Sequence, residues 1–147
     1  MKSGFRWLLP ELAVFCALAV ASALAGDRPS NRGKAIEAEA ATDHLTTWNS
    51  VHRFYKHFLI CDDGGIREGV SDKVAKLLAN RWDRFGECAK LASKDKAFEM
   101  FVVRHVDETI DWIHDAPKIN ENARLHCPSN AAQLCKALVE QTTPESR

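Results

Sequence analysis

Three sets of side chains in this 147-residue chain have types and spacings that could do chemistry. Asp62 and Asp63, with Glu68 beyond them, are oxygen ligands of the kind a hard cation takes. A calcium loop spreads such ligands over twelve residues, whereas here Gly64 and Gly65 stand where ligands are wanted. A helix N-cap is the simpler expectation, because a carboxylate accepts from free backbone N–H groups at the positive end of a helix. Asp107 and Glu108 are a carboxylate pair of the sort that cleaves glycosidic bonds. As neighbours on a helix they would point about 100° apart and could not flank one bond, so a solvated helix face is expected. His105 and His126, with a cysteine, could make a thiol nucleophile. His105 falls on an apolar stripe between Val102 and Val106, which suits a core histidine better. There is no His-Glu-x-x-His spacing among the six histidines and no Cys-x-x-Cys pair, so neither zinc nor any other metal or cofactor is expected.

A different kind of chemistry is suggested at Asp111, Trp112, Ile113, His114 and Asp115. An aromatic and an aliphatic residue ringed by charge, where a helical pattern breaks, has the composition of an anchor for a partner surface. The alternative is that Trp112 folds back over the core.

The elements that must position these residues read as helices. Leu45, Trp48, Val51, Tyr55 and Phe58 recur every three to four residues, with Thr46 or Thr47 as cap. Asp62-Asp63-Gly64-Gly65 punctuates the chain before a second helix carrying Ile66, Val70, Val74, Leu77 and Leu78. Phe85, Cys88 and Leu91 suggest a short third helix, and Ser93 to Asp95 a break and cap. Phe98 to Thr109 reads as a fourth helix and Asp111 to Pro117 as a loop whose proline suits a first helical turn. Ile119, Ala123 and Leu125 mark a fifth helix, and Ala131 to Val139 the last. No six-residue run alternates with period two. The expectation is an all-α, compact bundle of five or six short helices around Trp48, Phe54, Phe58, Leu77, Trp82, Phe98, Phe101 and Val102, with sequential helices as neighbours.

The N-terminus has the pattern of a cleaved signal peptide over residues 1–25: Lys2 and Arg6, an apolar run from Leu12, then Ala23-Leu24-Ala25. Cleavage would leave 122 residues, enough for one domain. Residues 26–42 read as a flexible tether of breakers and an Ala/Glu run, disordered or a frayed helix, 43–141 as the helical domain, and 142–147 as a disordered tail. Without the leader the chain carries 18 basic and 19 acidic side chains. That balance argues against nucleic acid, which rewards a basic face, and against attachment to anionic lipid. Four cysteines would remain, Cys61, Cys88, Cys127 and Cys135. An even number in an exported chain favours disulfides, and four allow three pairings. Cys127–Cys135 is favoured because the short segment between them can fold back, which leaves Cys61 with Cys88.

The order of several segments resembles the Tai-type immunity proteins that protect cells from amidase effectors of type VI secretion systems. The segments, spread over about residues 47 to 140, are an aromatic-rich first helix, Cys61-Asp62-Asp63-Gly64 with Glu68-Gly69, Leu77-Leu78-Ala79 with Trp82, and Lys94-Asp95-x-Ala97-Phe98. His105-Val106-Asp107-Glu108-Thr109 and Cys127-Pro128 with Cys135 complete the set. The resemblance implies an exported, all-helical, non-enzymatic homodimer in the periplasm. Its partner would be a peptidoglycan amidase with a Cys–His active site. The loop after the His-x-Asp-Glu-Thr segment would enter and occlude that amidase's cleft; here the loop is Asp111 to Pro117. Two other classes fit the same composition: a small exported envelope hydrolase with carboxylates from separate helices, and a helical module that binds a ligand in an apolar pocket.

Overall fold

The computed structural model describes residues 29–144. The expected signal peptide, residues 26–28 and residues 145–147 lie outside them. Seven α-helices follow in order: α1 Pro29–Thr42, α2 Trp48–Phe58, α3 Gly64–Asn80, α4 Phe85–Ala92, α5 Lys96–Arg104, α6 Asp115–Leu125 and α7 Ala132–Gln141. Single 3-10 turns at Leu59–Cys61, Trp82–Arg84 and Ser129–Ala131 join some of them. Among the described residues there is no strand, and no helix is long and apolar enough to cross a membrane. The fold is all-α.

Local signals set several helix starts. Thr47 caps α2 in a reciprocal box with Ser50, each side chain meeting the other residue's backbone. Asp95 caps α5 by accepting from the Phe98 N–H at 3.1 Å, and its carboxylate also takes the Lys56 ammonium of α2 at 2.6 Å. The expected core is present: Trp48, Phe54, Leu77, Phe98, Phe101 and Val102 are buried, and Phe58 and Trp82 pack on its edge. Trp82 stacks on buried Phe85 with ring centroids 3.9 Å apart and donates its indole N–H to the His126 carbonyl at 3.0 Å.

Packing departs from the expected neighbour order. α1 with α2, α4 with α5 and α6 with α7 do pair in sequence, but α3 packs chiefly against α6, and α5 also packs on α7 and α2 on α4. Asn122 of α6 closes the α3 contact by donating to the Leu78 and Ala79 carbonyls at 3.1 and 3.3 Å, which would otherwise end α3 unpaired.

Four expectations are corrected. The segment read as a tether is helix α1 from Pro29, packed on α2 and α3. Small residues let it lie close, with Ala38 fully buried and the Thr42 methyl 3.7 Å from where a side chain on Gly69 would begin. The tail begins later than residue 142, because Thr142 is buried, donates to the Leu138 carbonyl at 2.7 Å and accepts from Asn120 at 3.0 Å. The helix expected through Thr109 stops at Arg104, and residues 105–110 turn. Finally, Cys127–Cys135 is a disulfide, whereas Cys61 and Cys88 are free thiols. Both free thiols are spent on packing as small apolar side chains. Burial, with the nearby Glu99 charge adding to it, pushes the Cys88 thiol far above its ordinary range, which leaves it inert.

Candidate functional site

The Asp62 segment and the Arg104–Thr109 segment meet in one polar network. Gly64 makes this possible: it has φ +47°, a backbone conformation that suits glycine. Asp63 takes the N-cap position of α3, but its side chain makes no capping bond. Asp62, the other expected cap, turns inward instead. Its Oδ2 accepts from Arg104 Nη2 at 2.8 Å, and its Oδ1 faces His105 Nε2 at 3.3 Å. On the far side of the ring, His105 Nδ1 lies 2.9 Å from the Ser71 hydroxyl of α3. Burial works against the Asp62 charge. The His105 contact and the positive field of Arg104 and Arg67 outweigh it and hold the carboxyl below its ordinary pKa. The cation site expected as an alternative at Asp62, Asp63 and Glu68 is excluded by this arrangement, since Asp62 already serves Arg104 and His105.

Ser71, His105 and Asp62 thus line up as serine, imidazole and carboxylate. Their surroundings are not those of a nucleophile. Ser71 and His105 are 0 % exposed, and the Asp62 side chain 1 %. Ser71 also sits inside α3, where backbone N–H groups are committed to the helix and cannot form an oxyanion hole. No substrate reaches this serine, and the trio works as a buried polar pin between α3 and the end of α5.

A second cluster continues from the first. Arg67, one turn before Ser71 on the same face of α3, uses Nη2 to donate to the Arg104 carbonyl at 3.1 Å and to Asp107 Oδ2 at 3.0 Å. Asp107 Oδ1 accepts the Thr109 N–H at 3.0 Å and the Thr109 hydroxyl at 2.6 Å. Burial raises the Asp107 pKa, but the Thr109 and Arg67 hydrogen bonds outweigh it and the net shift is downward. Of the Asp107 and Glu108 carboxylates, the first is tied into the turn and the second is exposed.

The loop beyond this turn is anchored on both sides of its tip. Ile110 is 5 % exposed, and the Trp112 indole N–H donates to the Asp107 carbonyl at 3.1 Å while the ring packs on the core. Between Trp112 and α6, Ile113 stands 81 % exposed. Asp111 shapes the tip as a cap does: Oδ1 accepts from the N–H groups of Ile113 and His114 at 3.0 and 2.9 Å, and Oδ2 meets His114 Nδ1 at 2.8 Å. The His114 contacts, with help from the Ile113 N–H, hold the Asp111 carboxyl below its ordinary pKa. Of the five residues expected to meet a partner, Asp111, Ile113 and His114 are exposed, Trp112 is half-buried and Asp115 is buried. An open groove of about 390 Å³ runs from Trp112 and Pro117 past Asn120 and Arg124.

Sequence reasoning missed Arg67 and Ser71. A signal was present: they share one face of α3 with Val74 and Leu78, at spacings of four and three, so two polar residues occupy core-stripe positions. His126 is exposed; its backbone N–H donates to the Asn122 carbonyl at 2.9 Å and its carbonyl accepts from Trp82, and the neighbouring Cys127 is held in the disulfide.

This site belongs to an all-α domain with an internal disulfide and a braced loop whose tip is exposed. No protein-family model, curated protein or solved structure matches the chain.

Proposed function

We propose that the protein is a periplasmic immunity protein of the amidase-neutralising type, acting as a homodimer without enzymatic activity of its own. It would bind a type VI secreted peptidoglycan amidase and occlude its Cys–His active site. The observation that carries this reading is the exposed Ile113, held between buried Ile110 and half-buried Trp112 and flanked by the Asp111–His114 pair. A large aliphatic side chain fixed outside the core gains nothing for folding; against a cleft it would bury its surface for about 1.5–3 kcal/mol. Its loop is already ordered, so little entropy is lost on binding. Occlusion requires no chemistry, which suits a chain whose serine, histidine and aspartate are closed off. The division of labour within the loop is that Ile113, Asp111 and His114 make the contact, while Trp112 sets the loop's height.

The test is inhibition of the amidase encoded beside this protein, comparing the parent with Ile113→Asp and Trp112→Ala. The parent should inhibit at stoichiometric ratio, and Ile113→Asp should lose inhibition with an unchanged melting temperature. Failure of the parent to bind that amidase removes the reading.

A further inference from the structure

Arg67 lies outside the loop, yet the loop hangs on it. A single guanidinium joins the last carbonyl of α5 to the Asp107 carboxylate. Asp107 in turn organises the turn through Thr109, and its carbonyl receives the Trp112 indole. The order of dependence is therefore Arg67, Asp107, Trp112 and then the Ile113 tip. The helices do not depend on Arg67 in the same way. Asp62, Arg104, His105 and Ser71 tie the end of α5 to α3 through separate bonds. Without Arg67, the partly buried Asp107 carboxylate would lose its cation and favour an outward, hydrated position. That movement would draw its carbonyl away from Trp112.

We propose that Arg67 is a positioning residue that holds residues 107–114 in the conformation that presents Ile113, and so sets how tightly the partner is held. The proposal rests on the occlusion reading above. An arginine suits the task because its planar fork is pre-organised, so less freedom is lost per hydrogen bond than with lysine. If removing it lowers the competent fraction of the loop to about a tenth, the apparent Kd weakens about tenfold, because affinity scales with that fraction.

The experiment uses the full chain, expressed with its own N-terminal segment, as parent, Arg67→Gln and Arg67→Lys. Two quantities are read: hydrogen exchange at the Thr109 amide and the Trp112 indole, and affinity for the neighbouring amidase. Arg67→Gln should speed exchange at both loop sites about tenfold or more, leave the amides of α3 and α7 unchanged, and weaken binding about tenfold. Arg67→Lys should recover part of both effects. Unchanged loop exchange in Arg67→Gln, or faster exchange with unchanged affinity, overturns the role of Arg67 alone. A parent that binds no amidase overturns the occlusion reading, and this functional role with it. Should Arg67→Gln fail to fold, Asp107→Asn carries the same test, since it keeps the acceptor for Thr109 and loses the charge that Arg67 meets.

Discussion

His105 Nε2 and Asp62 Oδ1 face each other at 3.3 Å in the closed interior as an ion-pair contact, and neither atom makes a hydrogen bond. The contact joins the two segments that looked most chemical in the sequence and leaves neither available to a substrate. The histidine holds a carboxylate in place, and the Ser71 hydroxyl holds the histidine.

Removing one member of that trio should cost more than an ordinary core substitution. His105→Ala or Asp62→Ala is expected to destabilise the protein by about 2–5 kcal/mol: the first removes a fully buried ring and leaves only Arg104 on the Asp62 carboxylate, and the second leaves buried His105 Nε2 facing no carboxylate. Ser71→Ala should cost about 1–3 kcal/mol, the desolvation of one orphaned ring nitrogen. Urea unfolding measures both, and the Asp62→Ala/His105→Ala double variant should cost less than the sum of the singles.

Acid should loosen the same network. Asp62 and Asp107 both have folded pKa values below the ordinary carboxylate value. A lowered folded pKa contributes stability that is complete above the unfolded value, about 4, and disappears as pH falls through the folded value. Stability should therefore hold from neutral pH down to about 5 and fall below about 4. The fall should be shallower in Asp62→Asn, measured as the urea midpoint against pH. An equally steep fall in that variant would place the acid sensitivity elsewhere.

The two adjacent glycines that open α3 should respond oppositely to alanine. Gly64 has φ +47° and open space around a would-be side chain, so Gly64→Ala carries only the backbone cost, about 1–2 kcal/mol. Gly65 is helical with nothing near it, so Gly65→Ala should be neutral or stabilise by up to about 1 kcal/mol. Thermal melts of the two variants distinguish them. A neutral Gly64→Ala would mean that the inward turn of Asp62 does not need the left-handed residue.

The cysteines should separate by reactivity. Cys61 and Cys88 should be alkylated in denaturant without reductant, and Cys127 and Cys135 only after reduction, as mass spectrometry would show. Losing the bridge should cost about 2–3 kcal/mol, the chain-entropy value for a short loop. Labelling of all four cysteines without reductant would overturn the assignment, and so would labelling of none.

Apolar spacing and cap chemistry were enough to read α2 with a cap at Thr46 or Thr47, a cap for α5 within Ser93 to Asp95, the Pro117 first turn of α6 and the all-α class; the structure uses Thr47 and Asp95. These are local matters, decided by backbone geometry over a few residues. The Cys127–Cys135 bridge was legible for the same reason, its partners being eight residues apart. Three readings went astray where long-range packing overrode local pattern. An Ala/Glu run without large apolar side chains is a poor helix by itself, yet α1 forms because its small face fits against α2 and α3. The α5 stripe continues through His105 and Val106 in the sequence, but the helix stops where Asp62 and Arg67 compete for its end. An even cysteine count suggested a second bridge, and the core took both thiols as packing instead.

The sequence by itself determined that the segments of α2 to α7 are helical, because periodicity and capping act between near neighbours, whereas α1 and the end of α5 were set by packing. Only the tertiary structure decided what the polar residues do. Whether Asp62 caps a helix or meets His105, and whether Trp112 reaches out or folds back, depends on which groups the packing of α3 against the end of α5 brings within about 3 Å, the range over which a hydrogen bond acts.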